Sequence, residues 1–105
     1  MSIKLVLLRT GETVISDICE MVLGEDEEKR VVGYFLNNPC AIIVESVDQN
    51  TEFLEKTKMS IRLVDWMPLS KDKNIPIISD WVVSIIDPVD SLKETYENSY
   101  CKNEV

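Results

Sequence analysis

The chain has 105 residues, 45% of them hydrophobic, and carries 19 acidic against 11 basic side chains for a net charge of −8. That length fits one domain, residues 1–105, burying about two-thirds of the surface its unfolded chain would expose, and the apolar content excludes a disordered chain. The negative field repels phosphate at long range and disfavours a nucleic-acid partner, while no apolar run reaches the length of a signal peptide or a membrane span.

Residues 3–8 are apolar with one lysine and end at Arg9-Thr10-Gly11-Glu12, which reads as a strand entering a turn. Residues 13–22 resume with Thr13, Val14, Ile15 and Ile18, whose β-branched side chains favour a second strand. The charged run 24–30 lacks the ligand spacing of a calcium loop and reads as a solvated hairpin tip. Residues 31–36 are strand-like. Asn37-Asn38-Pro39 interrupts them, because proline cannot donate to a central ladder, and 40–47 follows as a strand or a continuation past a bend. The polar stretch 48–58 reads as a loop or one turn of helix.

Residues 59–69 alternate imperfectly and predict a strand ending at Pro68, with a turn at 70–74. Residues 75–78 contain Pro76 and open an edge, and 81–86 is the most β-prone run in the chain. The period then changes. Leu92, Tyr96 and Tyr100 fall four apart, predicting a helix over about 91–100, with Asp90 or Ser91 as N-cap and Glu94 completing a capping box. Residues 101–105 read as a frayed tail. About five strands followed by a short helix point to an antiparallel sheet or a small barrel.

The chain has no histidine, which removes the commonest general base, the usual triads and most transition-metal sites. Its three glycines are scattered and make no phosphate loop. Carboxylate pairs such as Glu12 with Asp17 are not singled out from 19 acids by any spacing. Cys19, Cys40 and Cys101 form no CxxC pair. They read as two buried strand residues and a tail thiol in a reducing, cytosolic setting. A non-enzymatic protein is expected, with no catalytic residue, metal or cofactor. Trp66 and Trp81 read as core or interface anchors rather than base-stacking platforms, since no basic cluster flanks them. The nearest basic groups are Lys71 and Lys73, then Arg62.

A short open barrel leaves two unpaired strand edges. Residues 81–86 are apolar on both alternating faces, which in so small a chain suggests that another subunit covers one side. Pairing the last strand with a neighbour's penultimate strand would cap both edges, and a head-to-tail contact of that kind closes into a ring.

The opening hairpin, with its apolar strand, Arg9-Thr10-Gly11 turn and second strand, resembles the first motif of Sm-like proteins. The order of features resembles the small Sm-like proteins of marine cyanophages: this hairpin, Leu36-Asn37-Asn38-Pro39, Trp66-Met67-Pro68-Leu69-Ser70, Trp81-Val82-Val83-Ser84-Ile85-Ile86-Asp87-Pro88 and a final helix. The order and spacing carry the likeness, over nearly the whole chain. It implies a strongly bent five-stranded antiparallel Sm-like (SH3-like) small barrel with a short C-terminal helix. It implies a homo-oligomeric ring of about five to seven subunits, joined between strands at 59–69 and 77–86. Met59, Ile61, Leu63, Trp66, Trp81, Val83 and Ile85 would line that interface. The expected role is a scaffold or protein-interaction module, with another protein as a further partner, in the cytoplasm (the host's, if the protein is phage-encoded). The alternative is a ring binding single-stranded RNA or DNA through Asn37, Asn38, Arg62, Lys71 and Lys73. Sm proteins carry Arg-Gly before the last strand, where this chain has Ser79-Asp80.

Overall fold

The structure is a computed structural model that describes residues 2–47 and 58–101, with side chains described for 2–44 and 61–99. Its elements are β1 (Ile3–Leu8), β2 (Thr13–Leu23), β3 (Arg30–Val47), β4 (Lys58–Asp65), β5 (Asn74–Ile78), β6 (Val82–Ile86) and the helix α1 (Asp90–Tyr96). Short 3-10 turns lie at Asp26–Glu28 and Ser79–Trp81, and a π-helical turn at Glu97–Cys101 follows α1. The protein is mostly β, with every strand pair antiparallel.

The strand order is β4-β3-β2-β1-β6, with β5 also paired to β3. β3 is the spine: β4 pairs with its 40–47 half and β5 with its 33–37 half. β4 and β5 therefore act as one interrupted partner strand, from which residues 66–73 loop out. Two backbone bonds clamp the base of that loop. The Asn38 N–H donates to the Lys73 carbonyl (2.7 Å), and the Trp66 N–H donates to the Pro39 carbonyl (3.1 Å).

The sequence predicted about five strands; six are present among the described residues. The expected fifth strand is divided, because the Ser79–Trp81 turn separates β5 from β6 and Trp81 lies in that turn. The expected fourth strand stops at Asp65, short of Leu69. Asn37-Asn38-Pro39 does not end β3, which runs through it for 18 residues. Proline is tolerated there because the ladder is already broken on both sides, by the 66–73 loop and by a register shift in β2. Asn38 takes φ +53°, a left-handed conformation that asparagine accepts more readily than most residues. The sheet is not closed into a barrel: β5 pairs with β3, β6 with β1, and among the described residues no ladder joins β5 to β6.

Alternation sends neighbouring side chains to opposite faces of the sheet, and both faces carry a core. Val6, Leu8, Val14 and Leu36 form one cluster, flanked by Ile18, Tyr34, Trp66, Ile77, Val82 and Ile85. Ile3, Ile15, Cys40 and Tyr96 form the other, with Leu5, Ile42, Leu63 and Leu92. The second cluster includes Leu92 and Tyr96, the inward stripe of α1. This explains why β1 is almost wholly apolar: its two faces contribute to different clusters, with Leu7 alone exposed.

α1 starts one residue earlier than predicted and gives way to the π-turn after Tyr96. Its N-cap is Val89, with no side-chain cap bond, so the predicted capping box is absent. Helices this short draw their stability from tertiary packing, supplied here by Leu92 and Tyr96. Cys40 is buried as expected, whereas Cys19 is exposed, because it falls on the uncovered side of β2. The predictions for 48–57 and for 102–105 fall outside the described residues, and nothing is described of the Tyr100 and Cys101 side chains.

Candidate subunit interface

β6 reaches its surface role through a bulge. Leu7 pairs with Ser84 and Leu8 with Val82, so Val83 has no partner in β1. An extra residue of this kind re-aims a side chain. Val82 and Ile85 stay packed against the Val6–Leu8 cluster, while Val83 is 60% exposed. Ile78, Trp81, Ile86 and Val89 are exposed as well, so exposed apolar residues recur along the chain from the end of β5 past the end of β6. β5 and β6 each have one strand partner among the described residues, which leaves each with an open edge. Pro76 has no N–H to offer and is at home on such an edge.

The Ser79–Trp81 turn is tied to the β1–β2 turn. The Arg9 N–H donates to the Trp81 carbonyl at 2.9 Å, and the Arg9 guanidinium lies 5.8 Å from the centre of the Trp81 ring, within cation–π range. Trp81 is thus an exposed aromatic whose backbone and ring are both held. A basic residue beside the Gly11 turn is visible in the sequence. Its meeting with Trp81 is not, since 72 positions separate them along the chain (81 − 9).

The residues expected at an interface are divided between surface and core. Trp81 and Val83 are exposed. Leu63 packs on the helix-covered cluster, and Trp66 and Ile85 on the opposite one. Ile61 is exposed but sits on β4, opposite Val44, at the far end of the strand order. Met59 also lies on β4, and its side chain is outside the described residues. Ile78, Ile86 and Val89 were not among the residues expected at the interface, although Ile86 closes the 81–86 run expected to be covered by another subunit.

Four of the five residues named for nucleic acid come near one another. Asn37 pairs with Asn74, Asn38 bonds to Lys73, and Lys71 shares the same loop. Both asparagines are half-buried and belong to β3, where their carbonyls serve the fold. Arg62 stands apart on β4, opposite Ile43. Among the described residues no three His, Cys, Asp or Glu side chains group so as to hold a metal ion, and no helix is long and apolar enough to cross a membrane.

Lys4 on β1 forms an ion pair with Asp87, just beyond β6. The hydrogen bond from Lys4, with its charge, holds the Asp87 carboxyl below its ordinary value of 3.8. A lowered folded-state pKa means that the pair favours folding above the ordinary value and that this contribution is lost as pH falls through the lower one. A carbon-13 titration should place the Asp87 midpoint below that of an unstructured aspartate, and Lys4→Ala should move it up. An unchanged midpoint would remove the pair from the account.

No protein-family model matches the chain, and no curated protein matches it either.

Proposed function

We propose that this chain is a non-enzymatic Sm-like protein that assembles with copies of itself into a ring of about five to seven subunits, serving as a scaffold or protein-interaction module. The observation that carries the reading is the run of exposed apolar residues Ile78, Trp81, Val83, Ile86 and Val89 on the segment that holds the two open edges of β5 and β6. An antiparallel match between β5 of one copy and β6 of the next satisfies both edges and covers residues of this run. The match is heterologous, using different surfaces on the two partners, and so suits a ring. The all-antiparallel order, with a 3-10 turn joining β5, which pairs with β3, to β6, which pairs with β1, supports a small β-sheet subunit of the kind the sequence resembles. Such a protein would work in the cytoplasm, of a bacterial host if phage-encoded.

Native mass spectrometry tests the proposal. One closed oligomer is expected, and a monomer at micromolar concentration would end it. Val83→Lys should leave the monomer folded, because the side chain points outward, and should weaken assembly by about 2 kcal/mol or more, as a buried interface anchor does. The nucleic-acid alternative draws on the Asn38–Lys73 neighbourhood. It requires oligonucleotide binding that falls steeply with salt, against a net charge of −8.

A further inference from the structure

The 66–73 loop presents apolar side chains that no described residue covers. Leu69 is fully exposed and Met67 is exposed beside it. Isolated exposed leucines are ordinary, but this one stands on a turn built to hold it. The Ser70 N–H donates to the Met67 carbonyl at 3.1 Å, closing a turn with Pro68 at its second position. The Asp72 N–H donates to Ser70 Oγ at 2.9 Å. At the base, the Asn38–Lys73 and Trp66–Pro39 bonds fix both ends, and the Trp66 ring is anchored in the core. A surface held this way loses little conformational freedom on binding. Lys71 and Lys73 follow Leu69 and, with Asp72 between them, leave the loop with a net positive charge on an acidic protein.

We infer that this loop docks on the segment that follows β6 in an adjoining copy, residues 87–90. The inference rests on the edge-pairing reading above and adds to it a specific contact. β5 and β6 are each five residues long. An antiparallel match sets Asn74 beside Ile86 of the adjoining copy and Ile78 beside its Val82. The loop that precedes Asn74 then lies against the segment that follows Ile86. That segment is complementary. Val89 is 68% exposed and offers an apolar seat for Leu69. Asp87 and Asp90 are exposed and face Lys71 and Lys73 with opposite charge. Lys4, already paired with Asp87, and Lys93 lie close by and leave Asp90 the more available carboxylate. Charge pairs at the rim of an interface set its register and its salt dependence.

Sedimentation equilibrium of the full chain at low salt tests the contact. Lys71→Glu/Lys73→Glu should weaken assembly about tenfold by setting like charges against each other. Adding Asp87→Lys/Asp90→Lys in the same chain should restore it. Leu69→Ser, an exposed change that leaves the fold alone, should weaken assembly as well. Unchanged assembly in both Lys71→Glu/Lys73→Glu and Leu69→Ser overturns the inference while the edge-pairing reading stands. A loss that the reciprocal changes do not repair overturns the pairing of these two segments. A wild-type chain that does not assemble overturns the edge-pairing reading itself, and this inference with it.

Discussion

Tyr96→Ala is expected to lower the stability of the monomer by about 3–5 kcal/mol, the range for removing a large aromatic from a core. Tyr96 is 1% exposed and is the largest of the fully buried side chains. Its hydroxyl enters the irregularity where β2 and β3 slip register, between the Ile15–Cys40 and Asp17–Asn37 pairs. There it lies 3.0 Å from the Asn37 carbonyl and 2.9 Å from the Asn38 carbonyl, which share its single proton. Its oxygen accepts the Asp17 N–H at 3.3 Å. Ser16, buried in the same place, donates toward the Asn37 and Asp17 carbonyls at 3.0 Å each. A broken ladder inside the protein would otherwise strand these backbone groups without partners. Tyr96→Phe keeps the ring and separates the two effects. It removes the acceptor of the Asp17 N–H and should cost about 1–3 kcal/mol. Urea denaturation reads both values. A Phe variant as stable as wild type would mean that the hydroxyl adds nothing and that α1 is held by packing alone. The consequence extends beyond stability, because Asn38 also holds Lys73. The helix, the Asn37-Asn38 step of β3 and the base of the 66–73 loop thus form one connected unit.

Gly33→Ala is expected to detach β5 from β3. A β-carbon placed at Gly33 would lie 2.4 Å from the Ile77 carbonyl oxygen and 3.3 Å from the Ile78 α-carbon. These are backbone atoms of the paired strand, so no rotamer change relieves the clash and the strand itself must shift. Overpacking of this kind costs about 1–3 kcal/mol. Gly33 pairs with Ile78 at the end of the ladder, where β5 meets the Ser79–Trp81 turn. The damage falls on the proposed assembly edge while the clusters around Val6 and Ile3 keep most of their partners. Amide exchange should show protection lost across β5 and kept in β1 and β2, and native mass spectrometry should show a shift toward monomer. Retained protection across β5 would show that the strand accommodates the methyl group. Loss of β5 protection with the oligomer intact would mean that assembly does not use this edge.

Gly33 also marks a limit of sequence reading. Its need for close approach to Ile77 arises from a strand more than 40 positions away, and one glycine in a β-prone run gives no sign of that. The division of 81–86 has the same cause. Trp-Val-Val-Ser-Ile-Ile has the strongest strand composition in the chain. Yet Trp81 belongs to a turn, because its carbonyl is taken by the Arg9 N–H and β6 must bulge at Val83 to match β1. The capping box at Ser91 and Glu94 fitted a local pattern, but the helix is placed by Tyr96, and its first turn stands without a side-chain cap.

The sequence by itself determined the β-rich class, the opening hairpin, the edge character of the strand with Pro76 and the change to helical period after Pro88. Each of these is written in near neighbours: alternation, β-branching, proline's missing N–H and the four-residue spacing of Leu92 and Tyr96. The tertiary structure decided that β4 and β5 share one edge of β3, that β3 runs through Pro39, that Val83 turns outward and that Tyr96 fills the gap between β2 and β3. These depend on register between distant segments and on which backbone groups are left unpaired when the strands meet. Hydrogen bonds such as Tyr96 to Asn38, 58 positions apart, are satisfied only once the sheet exists. Local composition does not encode them.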